Sequence, residues 1–337
     1  MSKKTSSSFK PFTLYDPSQP LSQVYKKRAA KELKEDPAQV SAHLESLKRW
    51  IKSMPHLKCT TDDDFLLAFL RQAKFNHMKA QARLDKFCTF RTHPTEGYPE
   101  WFKDTPRRRE YWEKWLKLKS WTPLGFTQDG VMVAMMKWES FDLCEMTMED
   151  LQSSFQLWTD YCLLDPRAQI GGLCMIMDLT GLKKETMMKM FDSRMAKSGT
   201  KYFQECLPFR INKLVYYNMP KFFEGLFKLY VEWFNEKIRS KIMTISDDIT
   251  PAFDAVPGLK DLVPQSLGGN NKLTFEQICE KNFDILKSIP AVGDNFGISV
   301  DESKRPKESK YSFGVYKDIP SDIMGKSGNY VKLNDEI

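Results

Sequence analysis

Four histidines, His43, His56, His77 and His93, are the chain's whole supply of imidazole, and all lie in its first third. From 126 to 290 there is none. A Ser-His-Asp or Cys-His site built within that stretch is therefore excluded, although a histidine can reach in from the first third. The seven cysteines, Cys59, Cys88, Cys144, Cys162, Cys174, Cys206 and Cys279, are scattered, odd in number and free of any CxxC spacing. That usage suits reduced thiols in a cytosolic protein and gives no support to a His/Cys metal centre. Neither GxGxxG nor GxxxxGK[ST] occurs, so no motif for dinucleotide or P-loop phosphate binding is present. Asp178 ends the apolar run GGLCMIMD, where an α/β enzyme often keeps a carboxylate, but hydrogen bonding into the turn 179–181 is the plainer role. An enzyme is the weaker reading, and no catalytic residue, cofactor or metal is expected.

The chemistry that is present is concentrated in residues 210–241, RINKLVYYNMPKFFEGLFKLYVEWFNEKIRSK. A β-branched and aromatic run breaks at Asn218, Met219 and Pro220, and a helix follows. On it Phe222, Leu226, Leu229 and Trp233 form one stripe, and Phe223, Phe227, Tyr230 and Phe234 form its neighbour. Together they cover well over half the helix, so it is either fully buried or has one face on the protein and another on something apolar. Seven basic residues (Arg210, Lys213, Lys221, Lys228, Lys237, Arg239, Lys241) stand against three acidic ones (Glu224, Glu232, Glu236) in this stretch. A basic side chain near an anionic leaflet is worth about 1 kcal/mol, and an apolar side chain leaving water gains roughly 1.5–3 kcal/mol. A helix with both features can exchange a pocket for a bilayer at modest net cost, which is the physical basis of a gate.

The remaining elements must hold that helix in place. Residues 1–20 are rich in Ser, Lys and Pro and are expected to be disordered. The segment 21–125 reads as a helical subdomain. Val40, Leu44, Leu47, Ile51 and Met54 repeat at three and four. In CTTDDDFLLAFLRQAKFNHMKAQARL, Thr61 is the expected N-cap with Asp64 at N3, and Phe65, Leu66, Phe69 and Leu70 make the buried face. A break at Asn76 precedes a helix from about 79 to 91. The cluster Arg107, Arg108 and Arg109 reads as a solvated face, because no nucleic-acid module accompanies it.

From 126 to 290 the pattern is α/β. Strands are expected at 130–138, 171–182, 210–217 and 241–246, separated by helix-length segments, which implies βαβ units and a mixed or parallel sheet. The near-continuous apolar run of the second suits a strand covered on both faces. A last helix is expected from about 274 to 288, and 291–337 reads as a polar tail or loose wrap. No run of about 18 apolar residues offers a bilayer span, and the N-terminus lacks the apolar core of a secretory signal. The net charge of +7 permits an anionic partner without demanding one.

In this order the pieces resemble the CRAL-TRIO lipid-binding family over about 37–290. The resemblance rests on DDDFLLAFLRQAKFNHMKA, on the strand ending in Asp178, Leu179, Thr180 and Gly181, on Leu207, Pro208, Phe209 and Arg210 leading to Tyr217, Asn218, Met219 and Pro220, and on Leu262, Val263 and Pro264 with Leu267, Gly268 and Gly269. The branch it most resembles holds alpha-tocopherol transfer protein, cellular retinaldehyde-binding protein and the clavesins. The resemblance implies an α/β lipid cavity closed by a mobile helix beginning near Pro220. It implies pocket positions at Phe155, Thr159, Leu173, Tyr202, Phe203, Leu207, Phe209, Ile211 and Leu214, with Leu226 and Phe227 on the gate. It also implies a phosphoinositide-binding cleft at Arg210, Lys237 and Lys241, with Lys213 and Arg239 beside them. The family's second basic strand position falls on Asn212, and Lys213 next door points to the opposite face.

The expected function is intracellular binding and transfer of a hydrophobic small molecule, such as a tocopherol or retinoid, with release at anionic, phosphoinositide-containing membranes. The alternative is a phosphoinositide-binding adaptor in membrane trafficking. Expected partners are a lipid ligand and an anionic membrane surface, with no nucleic acid. The expected state is a cytoplasmic monomer with peripheral membrane association.

Overall fold

The computed structural model describes residues 11–139, 146–190, 192–290, 292, 295–307 and 314. Strand β1 (Leu57–Lys58) pairs antiparallel with β7 (Ser299–Val300) in a short ribbon. The main sheet contains β2 (Trp121–Phe126), β3 (Met132–Lys137), β4 (Leu173–Asp178), β5 (Ile211–Tyr217) and β6 (Ile242–Ile245), in that order across it. β2 is antiparallel to β3, and the other neighbours are parallel.

From β3 to β6 every step moves one place in the same direction. Parallel crossovers are right-handed in nearly all proteins, so such a series lays its helices on one face of the sheet. The packing agrees. Met132, Met136, Leu173 and Leu214 face the helix Met148–Leu164 through Leu151, Trp158 and Cys162. On the other face Val133, Met135, Cys174, Ile176 and Val215 meet Ile249, Ala252, Leu259, Leu262, Phe275 and Ile278. Both faces of the central strands are covered, and their apolar runs show no polar alternation for that reason. Asp178 is buried and accepts a hydrogen bond from Thr180 N at 3.0 Å, inside the turn expected for it.

The helical first part packs the helices Val40–Ser53, Asp63–Gln72 and His77–Thr92 around Leu47, Phe65, Phe69, Leu84 and Phe87. Buried arginines join it to the sheet domain. Arg71 binds Glu35 and Gln169, and Arg91 meets Asp160, Tyr202 and Asn295 while lying over the rings of Phe87 and Phe102. A buried cation persists only when it is paired and hydrogen-bonded in this way.

Several expectations need correction. The sequence pattern does not announce strand β2, because TPLG carries Pro and Gly. It is an edge strand with a register shift between Pro123 and Gly125, the setting in which both residues are tolerated. The cap of the helix Asp63–Gln72 is Asp62, not Thr61: its carboxylate accepts from Phe65 N at 3.1 Å, and a charged acceptor suits the positive helix end. Arg108 is buried and donates to Ser153 O at 2.8 Å, so the basic cluster is not wholly a solvated face.

Within the segment expected to be disordered, Phe12 is 2% exposed and packs edge-on to Trp158 at 5.4 Å, and Tyr15 N donates to Tyr161 Oη; residues 1–10 lie outside the described residues. Within the expected tail, Phe296 is buried against Phe65 and Phe87, and Arg305 pairs with Asp85 at 2.5 Å. One aromatic and one arginine anchor a segment whose average composition is polar. Of the rest of that tail, only Gly314 beyond 307 is described.

Candidate functional site: an apolar cavity under an aromatic helix

A cavity of about 410 Å³ lies between the sheet and its crossover helices. Its floor is Met136, Leu173, Met175, Met177, Leu214 and Tyr216, from successive strands on one face. The helix Met148–Leu164 contributes Leu151, Phe155 and Thr159 to one wall. The segment 193–206 contributes Met195, Thr200, Tyr202 and Phe203 to another. Trp121, Trp158 and Phe155 close one end, with ring centroids 5.0 Å apart for the two indoles and 5.6 Å for Trp121 and Phe155. The volume and the few polar side chains fit a site for an apolar small molecule. The methionines add walls that adapt to shape.

The roof is the helix Lys221–Glu232. Phe223, Phe227, Tyr230 and, just beyond its end, Phe234 all reach the cavity. These are the second of the two stripes read from the sequence. The first stripe faces elsewhere: Phe222 is 41% exposed, and Leu226 is buried away from the cavity. Only Leu226 and Phe227 of its twelve residues are buried. Full burial, the plainer reading of its composition, is not what the helix shows. Its N-cap, Pro220, makes no side-chain capping bond. The chain enters through Asn218, which has a φ of 53° and is tied to Thr180 Oγ1 at 3.0 Å and to Asp247 N at 2.9 Å. Asn tolerates this left-handed conformation better than most residues do.

The structure brings nine of the eleven expected pocket positions to the lining of this cavity: Phe155, Thr159, Leu173, Tyr202, Phe203, Leu207, Phe209, Leu214 and Phe227. Two do not line it. Ile211 is buried at the start of β5, where the register against β4 shifts around Asn212. Leu226 lies on the neighbouring stripe of the helix.

The basic positions gather beside the cavity. Arg210 pairs with Glu32 at 2.6 Å and also donates to Ile170 O. Lys241 donates to Ile211 O. Lys237 has no anionic partner among the described residues. Its ammonium is held below the ordinary lysine range, first by desolvation and then by repulsion from Arg83, Lys74, Arg210 and Lys79. Lys241 is lowered likewise, by desolvation and by Lys237, Arg210 and Lys213. Burial and like-charge repulsion both disfavour the protonated form, and here the repulsion comes from the basic residues around the two lysines. Lys213 therefore acts within the cluster although it pairs with Cys174 in β4, whose thiol is on the far face of the sheet. Arg239 is exposed. Asn212 spends its amide on Gly171 O at 2.8 Å. Close by, Gly172 has a φ of 76°, and a Cβ there would stand 2.8 Å from Arg210 O.

Sequence reasoning missed Lys74, Lys79 and Arg83, which the first helical part adds to this cluster. A signal was available: no acidic residue occurs between Asp64 and Asp85, a stretch holding Arg71, Lys74, Lys79 and Arg83. What the sequence hides is that this stretch folds back onto residues 204–207, where Arg83 donates to Gln204 O and Leu207 O.

Comparison with known proteins fits this geometry. Residues 117–269 match the CRAL/TRIO domain, and residues 36–110 match the Pinta-like UBA domain. Clavesin-2 of Homo sapiens is 21% identical over 246 residues, covering 72% of this chain and 72% of that protein. Alpha-tocopherol transfer protein-like of Homo sapiens is 23% identical over 250 residues, covering 72% of this chain and 69% of its own. The solved structure of Sfh5 aligns with a TM-score of 0.42 at 13% identity, covering 77% of this chain and 92% of that one. Among the described residues no helix is long and apolar enough to cross a membrane. The stretch that matches the CRAL/TRIO domain, a domain whose family members bind and transfer lipophilic ligands, holds the five-stranded sheet, its crossover helices and most of the cavity lining.

Proposed function

We propose that this protein is a cytoplasmic, monomeric carrier of a hydrophobic small molecule, a tocopherol, retinoid or similar lipid, and that it releases its cargo at anionic, phosphoinositide-containing membranes. The observation that carries the reading is the helix Lys221–Glu232, which roofs the cavity with Phe223, Phe227 and Tyr230 while leaving Phe222 exposed between Lys221 and the rest of the helix. Moving it from cavity to bilayer exchanges one apolar environment for another, so the hydrophobic cost of opening is small. Lys237, Lys241 and Arg210, supported by Lys74, Lys79, Arg83 and Lys213, would meet the head group. Each contributes about 1 kcal/mol near an anionic surface. The positions on the cavity wall would contact the cargo, with Thr159 and Tyr202 among the few polar groups.

The test is organic extraction and native mass spectrometry of the purified full chain. A carrier retains a bound apolar molecule of definite mass at near-stoichiometric amount. Protein that holds none, and takes none up from vesicles, contradicts the reading.

A further inference from the structure

Most polar groups around the cavity are already satisfied. Thr159 Oγ1 donates to Gln156 Oε1 at 2.7 Å, Tyr202 Oη accepts from Arg91 Nη2 at 3.1 Å, and Tyr230 is hydrogen-bonded to Thr200. Tyr216 differs. Among the described residues nothing is hydrogen-bonded to its hydroxyl, although the side chain lies inside the protein on the cavity floor. The indole nitrogens of Trp101 and Trp121 also lack partners, but packing seals them from any space. The Tyr216 hydroxyl is not sealed: the residue keeps part of its surface, and enclosed as it is, that surface belongs to the cavity. Buried tyrosine hydroxyls ordinarily find a partner, and leaving one unmet costs about 1–3 kcal/mol.

The location is specific. Tyr216 is one residue from the end of β5, in register with Met177 of β4, and its ring lies 4.5 Å from that of Phe227 on the roof. A phenylalanine would fill the same apolar floor, so the hydroxyl adds nothing to packing. Burial pushes its pKa up, which keeps it a neutral donor and acceptor. We propose that Tyr216 is the polar anchor of the cargo, and that the cargo is an apolar molecule bearing a hydroxyl or carbonyl oxygen at the end that lies under the roof helix. This rests on the carrier reading above and narrows its ligand class. A saturated or unsaturated hydrocarbon would leave the hydroxyl unmet.

Y216F tests it, because the variant keeps the ring and removes only the oxygen. The full chain is incubated with neutral phosphatidylcholine vesicles containing geranylgeraniol or cholesterol, each beside the hydrocarbon that lacks its hydroxyl. Uptake is read by native mass spectrometry. The proposal expects wild-type protein to prefer at least one alcohol over its hydrocarbon by about tenfold, the worth of one buried hydrogen bond. It expects Y216F to bring that ratio near one, with hydrocarbon uptake changed less than twofold. If wild-type protein takes up the probes but the ratio is the same in Y216F, or if both members of a pair fall equally, Tyr216 is structural and the proposal fails while the carrier reading stands. Uptake of no probe by either protein, together with no co-purified apolar molecule, overturns both.

Discussion

Two helices of similar length cover different parts of the sheet, and they are fastened in opposite ways. Phe275–Lys287 begins with a capping box, in which Thr274 accepts from Gln277 N and the Gln277 side chain returns to Thr274 N. It buries Phe275, Ile278, Cys279, Asn282 and Leu286, and Asn282 reaches across to Pro123 O at 2.7 Å. Lys221–Glu232 has no side-chain cap, buries only Leu226 and Phe227, and turns its next apolar stripe toward a cavity instead of a packed core. Local stability follows buried apolar contact and satisfied helix ends. The first helix is built to stay, and the second has little besides the cavity to hold it.

The contrast breaks most visibly in stability. Leu286→Ala, at a site 1% exposed, is expected to cost about 2–5 kcal/mol in urea unfolding. Phe227→Ala should cost less than half as much, because its side chain already borders open space, yet it should speed escape of bound cargo. Equal stability losses would mean that the roof helix is core after all. Next in size, Lys237→Glu changes the local charge by two units and should weaken binding to phosphatidylserine vesicles by about 2 kcal/mol. Cargo content by mass spectrometry should be unchanged. A carrier so altered loads normally and delivers poorly, whereas an adaptor loses membrane binding with no cargo to deliver.

Removing the cap with Thr274→Ala should lower stability by about 1 kcal/mol, while Pro220→Ala, which removes no capping bond, should change it little. The smallest effect is in alkali. Because Lys237 titrates below the ordinary lysine value in the folded chain, raising the pH strips its proton there first. Between the lowered value and the ordinary one the unfolded chain holds more protons, so stability rises with pH across that window. Lys237→Met should flatten that part of a stability-against-pH curve, and a steeper rise in the variant would reverse the assigned sign.

Much of this contrast is visible in the sequence, for a physical reason. A helix stripe needs only local periodicity, and both Phe223, Phe227 and Tyr230 and the Thr274 cap are local signals. So is the apolar run of β4, whose burial on two faces leaves no alternation. What escapes is what depends on distant partners. Lys74, Lys79 and Arg83 join Lys237 only because the first helical part folds against residues 204–207. Phe296 and Arg305 find Phe65 and Asp85 from a segment whose composition reads as a tail. The bulge around Asn212 sets Ile211 on the same face as Leu173 and Leu214, a shift that no single-strand pattern announces. β2 hides behind a proline and a glycine that only an edge position excuses.

On this reading an anionic membrane opens the roof and releases the cargo. Transfer of a fluorescent apolar probe from loaded protein to acceptor vesicles measures this directly, with neutral phosphatidylcholine compared against the same lipid containing a phosphoinositide. Delivery to the anionic vesicles should be faster, and Lys237→Glu should lose that advantage. Identical rates to both kinds of vesicle, from protein that demonstrably holds the probe, would contradict it.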